Sequence, residues 1–306
     1  MPQDDHPIPF AMPRDLLGYQ GRPPHARWPG AARLAVSFVV NFEEGAEYAI
    51  AEGDRHNEAV YEVIDRLDTV PDPCLQSHFD YGTRAGWWRI MQVLDDFAAP
   101  CTVSACGAAV ERLPQLAQDA VRRGHEIAAH GWRWESHARM PAEVERANIR
   151  RTVAAIAQAT GQRPVGWHTR SASSPHTRAL LMEQGFLYDS DFYGDDLPVR
   201  VPHPQGRPYV MLPYAFDTND MHFQHTQRFA TAREFADYVI EAIDWLWKEG
   251  ETQPRMLSIG LHLRMLGRPA RIGALQRILN HIQQKGSIWV ARRDDIANHW
   301  LALNHG

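Results

Sequence analysis

The sequence predicts an α/β fold, built as one closed or nearly closed barrel of about seven mainly parallel strands. Two observations predict the class. Short runs rich in Val, Ile and Leu read as strands covered on both faces, because such strands have no wet side to alternate with. These runs alternate with amphipathic stretches of ~11–20 residues, the pattern of strand–helix–strand crossovers. A third observation predicts the architecture: the strands follow one another across 306 residues with no linker between halves, which favours one barrel over two domains. Hydrophobic residues make up 44% and charged residues 23%, which excludes a wholly disordered chain.

The elements follow in order. Residues 1–30 hold seven prolines and little periodicity, and read as an irregular arm lying over the surface or onto a neighbouring subunit; the barrel is expected over 31–306. Leu34 to Phe42 is the first strand, nearly continuous in apolar and β-branched residues. Residues 45–85 read as loops with one helical piece around Glu58 to Leu67. Gly86 to Phe97 reads as a helix, with Trp87, Ile90, Met91 and Leu94 at helical spacing. Cys101 to Ala105 is a short strand, Ala108 to Arg123 a helix closed by Gly124, and Glu126 to His130 a strand. Pro141 to Thr160 has Pro in its first turn and Gly161 beyond its end, both helix-boundary signals. Val165 to His168 is a strand and Ser174 to Gln184 a helix. Phe186 to Ser190 and Tyr209 to Pro213 are strands. Thr231 to Lys248 is an amphipathic helix, Met256 to His262 a strand, Arg268 to Gln284 a helix, Ser287 to Val290 a strand and Arg293 to Leu303 the last helix. Trp245, Trp247 and Trp300, at helical positions, are expected in the core.

Composition narrows the function classes. A net charge of -5 argues against a broad basic surface for nucleic acid. No run approaches ~18 apolar residues, so no transmembrane helix and no membrane partner are expected. MPQDDHPIPFAMPRD lacks the apolar core of a secretory signal. Three cysteines, Cys74, Cys101 and Cys106, are too few and odd in number for a disulfide framework, and a reducing, cytoplasmic setting is expected. There is no dinucleotide fingerprint, Walker loop or G-x-S-x-G elbow, and the spacing of Cys101 and Cys106 is not that of a zinc knuckle. SASS at 171–174 lies near His168 and His176 but lacks the context of a nucleophilic serine.

The informative pattern is where the polar residues fall. The first strand ends in Asn41, Glu43 and Glu44, the third in His130, and the fourth in Trp167, His168 and Arg170. The fifth ends in Asp189 and Asp191, and the buried run MLSIGL leads into His262 and Arg264. In α/β barrels the C-terminal strand ends carry the active site, so five strands delivering such groups to one rim point to an enzyme. Each residue alone has a plainer reading: Glu43 and Glu44 as a solvated turn, His130 as a satisfied strand-end histidine, Asp189 and Asp191 as loop caps. Trp132, Trp134 and Trp167 lie beside this rim and are candidate walls.

The order of the rim motifs resembles the polysaccharide deacetylase family, carbohydrate esterase family 4. NFEEG (41–45) stands at that family's T-F-D-D-G-type motif and HGWRW (130–134) at its H-x-x-x-H motif. RPVGWHTR (163–170) stands at the strand after R-P, and SIGLHLR (258–264) at the late histidine motif. A narrower resemblance, from about Pro13 to Trp300, is to the allantoinases and cyclic imide hydrolases built on this fold. It is carried by PRDLLGYQGRPPHARWPG, FVVNFEEGAE, YGTRAGWWRI, GHEIAAHGWRW, FLYDSDFYGDDLP, LPYAFDTNDMHF, MLSIGLHLRMLGRPAR and DIANHW. The resemblance implies a distorted (β/α) barrel, a small-molecule substrate and a homo-oligomer, with a tetramer as the subgroup's habit.

It also implies where the chain departs. Metal-dependent members of the family bind a divalent ion through an aspartate and two histidines. Glu44 stands at the aspartate and Trp134 at the second histidine, leaving His130 alone of the trio. Tryptophan cannot ligate, because its indole nitrogen only donates. No cofactor is therefore expected; the alternative is a zinc-type ion on Glu44 and His130, with His137 or His168 completing the set. TRSASSPHT (169–177) and EGD (52–54) depart from the allantoinase loops, so a substrate other than allantoin is open.

The expected reaction is hydrolysis of a non-peptide C–N bond in a cyclic ureide or imide. Glu43 or Glu44 is the candidate base and His262 the acid, with His130 holding the water or the oxyanion. Arg170 and Arg264 are expected to pair with ring carbonyls through their forked donors. Trp132, Trp134, Trp167 and His168 are expected around the substrate, and Asp189, Asp191 and Asn219 are weaker candidates for its N–H groups. The rival readings are a metal-dependent N-deacetylase of an acetylated sugar or acylamide, and a barrel that binds without turnover.

Overall fold

The computed structural model describes residues 14–60, 65–223 and 229–303. The strands are β1 (Leu34–Phe42), β2 (Cys101–Ala105), β3 (Glu126–Ala129), β4 (Gly166–Trp167), β5 (Tyr188–Asp189), β6 (Val199–Arg200), β7 (Val210–Met211), β8 (Arg255–His262) and β9 (Ile288–Val290). The helices are α1 (Pro73–Tyr81), α2 (Trp87–Asp96), α3 (Gly107–Arg112), α4 (Pro114–Arg122), α5 (Ala142–Thr160), α6 (Thr177–Glu183), α7 (Ala232–Glu249), α8 (Leu263–Leu266), α9 (Gly273–Lys285) and α10 (Arg293–Ala302).

One curled sheet runs in the order β6-β7-β5-β4-β3-β2-β1-β8, parallel throughout except for the β6–β7 pair. β1 is buried at all nine positions, as its nearly continuous apolar run requires. It pairs β8 along one edge from Leu34 to Asn41. Its other edge is shared: β9 takes Leu34 to Val36, and β2 takes Phe38 to Phe42.

Among the described residues, no ladder joins the two ends of the curled sheet, β6 and β8, which leaves a seam there. Met256 donates its N–H to the Asp196 carbonyl and Gly260 donates to Thr218, so loops cover the outer edge of β8. Arg293, at the start of α10 and 1% exposed, spans the seam. It donates to the hydroxyls of Ser190 and Ser258 and to the carbonyls of Leu212 and Pro213, at 2.9–3.1 Å. The described part of the arm packs against the barrel through Trp28, which lies against Trp289, His299 and Trp300 and donates to the Arg255 carbonyl at 2.8 Å.

Three expectations are corrected. The helix read over Ala108 to Arg123 is two, α3 and α4. Pro114 has no N–H to donate and its ring clashes with the preceding turn, so Leu113 leaves helical geometry at φ -130°. The piece around Glu58 to Leu67 is not helical at 58–60 or 65–67, and 61–64 lie outside the described residues. The helix of that region is α1, where Asp72 caps the Leu75 N–H at 2.9 Å and Pro73 takes the first position. α1 then passes through a π-helical turn, Gly82–Gly86, into α2. Trp245 is 64% exposed on α7 and not core, whereas Trp300 is buried.

The π turn exists because two backbones meet there. A Cβ on Gly86 would lie 2.1 Å from the Leu263 carbonyl oxygen, at the start of α8. A Cβ on Gly82 would lie 2.4 Å from Oε1 of Glu44. The glycines of YGTRAG thus let the helix pass directly over the end of β8 and over the carboxylates beyond β1.

Candidate active site

The register brings the chemistry together. Asn41 on β1 pairs with His262 on β8, and Ala129 on β3 pairs with Trp167 on β4. The residues that follow those positions therefore face one another across the C-terminal rim. A cavity of about 190 Å³ opens there, lined among others by Glu43, His130, Trp134, His168, Asn219 and His262.

Glu43 is the centre of the polar network. Its Oε1 lies 3.3 Å from Nε2 of His262 and 3.6 Å from Nε2 of His130, and its Oε2 accepts from Nη1 of Arg264 at 2.7 Å. Burial opposes its charge, but His262, Arg264 and His130 outweigh burial and hold its carboxyl well below the ordinary range. His262 is gripped from behind: Asp220 accepts its backbone N–H at 2.7 Å and faces its Nδ1 at 2.6 Å. With Nδ1–H pointing at Asp220, Nε2 is the nitrogen turned to Glu43. Burial pulls the His262 imidazolium down, but Glu43 and Asp220 prevail and raise it to about 9. His130 points its Nδ1 at the His168 carbonyl, 2.7 Å away, and stacks on the His168 ring at 5.2 Å between centroids. Burial, against the pull of Asp191, keeps the His168 imidazole below its usual value.

Glu44 turns away from the cavity. It lies under Gly82, accepts from the Glu43 N–H at 3.2 Å and reaches Nη1 of Arg264 at 3.4 Å. Burial, opposed by Arg264 and aided by the Glu43 charge, pushes its carboxyl up to about 7. The structure therefore separates two adjacent carboxylates that the sequence leaves equivalent.

The arginines are not placed to meet ring carbonyls. Arg264 is 0% exposed and lies behind the cavity wall. Arg170 lines the cavity, but its guanidinium is held by both oxygens of Glu58, at 2.9 and 3.1 Å, and by the Trp134 carbonyl at 2.6 Å. Of the three candidate walls only Trp134 lines the cavity. Trp132 packs under Arg151, 3.5 Å from its ring, and against Gly107. Trp167 is fully buried, donating to Thr169 at 2.9 Å. Asp189 is paired with Arg178 at 2.7 Å and Tyr209 at 2.9 Å. Asp191 holds Thr169 at 2.6 and 2.7 Å and faces His168 at 3.3 Å, so it supports the site from behind. Asn219 lines the cavity, next to the Tyr214 hydroxyl.

Two further candidates resolve. His137 is fully buried against Glu145, at 2.9 Å. Ser174 gives its hydroxyl to the same Glu145, so it is a loop anchor and not a nucleophile. Among the described residues, no three His, Cys, Asp or Glu side chains converge to hold a metal ion.

Sequence reasoning missed Asp220 and the aromatic mouth. Tyr193 and Phe216 stack at 3.9 Å there, and Tyr214 lies 4.3 Å from the His168 ring. The signal was present in LPYAFDTNDMHF: its aromatics and its Asn-Asp pair fall in a stretch with neither strand nor helix period.

Comparison with known proteins shows the family and the fold. Residues 68–185 match the polysaccharide deacetylase family profile. A Schizosaccharomyces pombe protein assigned to the polysaccharide deacetylases is 35% identical over 94% of this chain and 97% of its own length. The crystal structure of PuuE allantoinase superposes with a TM-score of 0.92 at 43% identity, covering 96% of this chain and 99% of that one. A Pseudomonas aeruginosa PAO1 structure described as a probable polysaccharide deacetylase gives 0.90 at 44% identity, covering 94% and 98%.

Proposed function

The chain belongs to the polysaccharide deacetylase family, and we propose that it is a hydrolase of non-peptide C–N bonds that opens a small cyclic ureide or imide without a tightly bound metal. The observation that carries this reading is the Asp220–His262–Glu43 chain at the wall of a cavity of about 190 Å³. That volume suits a single substituted ring better than a length of polymer. The likeness to an allantoinase over nearly the whole chain supports the same class.

The residues do not fit the divalent ion of metal-dependent relatives. Trp134 stands where a second histidine would ligate. Glu44 is turned under Gly82, and the Arg264 cation lies against both carboxylates.

At neutral pH the pair is a carboxylate and an imidazolium. A water held at Glu43 attacks the ring carbonyl carbon, and Glu43 takes its proton. The C–N bond breaks, and Nε2–H of His262 passes its proton to the leaving nitrogen. As His262 loses its charge, the influence that keeps Glu43 a weak base disappears, so the two transfers assist each other. The protonated Glu43 then returns its proton to His262 across 3.3 Å, and both groups are reset. One water is consumed and one C–N bond is broken. Trp134 and the Tyr193–Phe216 stack screen the site from bulk water.

The test is turnover of a cyclic imide or ureide by the E43Q and H262A variants. Losses of ~10²–10⁴-fold in each are expected. Wild-type turnover in either variant would overturn the assignment.

A further inference from the structure

Arg264 is a fully buried cation that touches no part of the cavity. Its Nη1 donates to Glu43 at 2.7 Å and reaches Glu44 at 3.4 Å, while its Nε and Nη2 have no hydrogen-bond partner. A buried guanidinium left with two silent nitrogens is costly unless something else meets its charge. Two aromatic faces do so: the guanidinium carbon lies 4.6 Å from the Phe79 ring and 4.8 Å from the Trp134 ring. The Trp134 ring also carries Arg170, at 3.6 Å, itself anchored on Glu58. One indole thus meets two guanidinium groups, and the fully buried one, Arg264, faces two adjacent buried carboxylates.

We propose that Arg264 is the built-in cation of this site, a positioning residue that offsets the charge of the adjacent Glu43 and Glu44 and fixes Glu43 against His262. The inference rests on the reading of Glu43 and His262 given above, and goes beyond it by assigning the charge that relatives draw from a metal to a side chain. It also gives Trp134 a role: the indole is one of the two aromatic rings against which that side chain lies. Arg264 does not bind substrate in this account, because nothing of it reaches the cavity.

The test uses R264M, R264K and the double variant R264M·E44Q. Turnover of a cyclic amide by R264M is expected to fall on the order of a hundredfold in kcat. KM should stay within about threefold, because the substrate is not touched, and R264K should recover part of the loss. A loss confined to KM, or full turnover in R264M, overturns the proposal. Thermal unfolding at pH 8 gives an answer that needs no activity. E44Q is expected to raise the Tm of R264M more than it changes that of the wild type, because one carboxylate fewer is then left without its cation. Equal effects in both backgrounds overturn the proposal. If the wild-type protein opens no cyclic amide at all, the assigned reaction fails, while the unfolding cycle still decides the role of Arg264.

Discussion

Glu43, the first residue beyond β1, and His262, the last residue of β8, approach to 3.3 Å. Two strands paired in register through Asn41 thus deliver a carboxylate and an imidazolium to one point. Their opposite charges sustain each other in a dry setting, where neither would be stable alone.

The two neighbouring glutamates should separate in experiment. Glu43 faces the cavity and Glu44 is turned under Gly82, so E43Q should reduce kcat far more than E44Q. Stability should separate them as well. Glu44 is protonated in the folded protein up to about pH 7, above its unfolded value, so the unfolded chain binds fewer protons between those values. Stability should therefore fall as pH rises from about 4.5 to 7, and E44Q should flatten that part of the curve in a denaturant titration. An unaltered slope in E44Q would place the effect elsewhere.

The pH–rate profile should have its alkaline limb near 9, because His262 must be protonated to act as the acid. Glu43 is held well below 4.5, so no acid limb from it should appear in the neutral range. Asp220 helps to raise His262, so D220N should move the alkaline limb down toward the ordinary histidine value. A limb that stays near 9 in D220N would assign it to another group.

Gly86 should not tolerate a side chain. Its missing Cβ faces a main-chain oxygen, that of Leu263, which cannot rotate away as a side chain would. G86A should cost about 1–3 kcal/mol or more in unfolding free energy. It should also lower turnover, because Leu263 directly follows His262. A neutral G86A would mean that the two helices slide apart freely.

The strands, and the rim they build, were legible because doubly covered parallel strands write themselves as apolar runs ending in polar residues. That rule points to Glu43, His130 and His262, which line one cavity in the structure. α1 was missed because Pro71-Asp72-Pro73 reads as a break, although Asp-Pro is also a start signal. Pro114 marks the break between α3 and α4, although the residues around it continue the helical period. Arg170, Arg264, Asp189 and Asp191 were placed at the right rim, but their partners were not legible. Glu58 lies far from Arg170 in sequence, and Arg178 pairs with Asp189 from another element. Sequence order shows which strand end a charge sits on, and the fold decides whether it meets solvent, substrate or another charge. Asp220 is not legible because its segment shows no strand or helix period, and its bonds to His262 at the end of β8 are long-range.

The most direct test is turnover by chelator-treated protein offered allantoin, a simple cyclic imide and N-acetylglucosamine in parallel. Ring opening of allantoin or the imide at the untreated rate, with no release of acetate from the sugar, is the predicted result. Activity that appears only on adding a divalent ion, or only on the acetylated sugar, would contradict the account and make the protein a metal-dependent N-deacetylase.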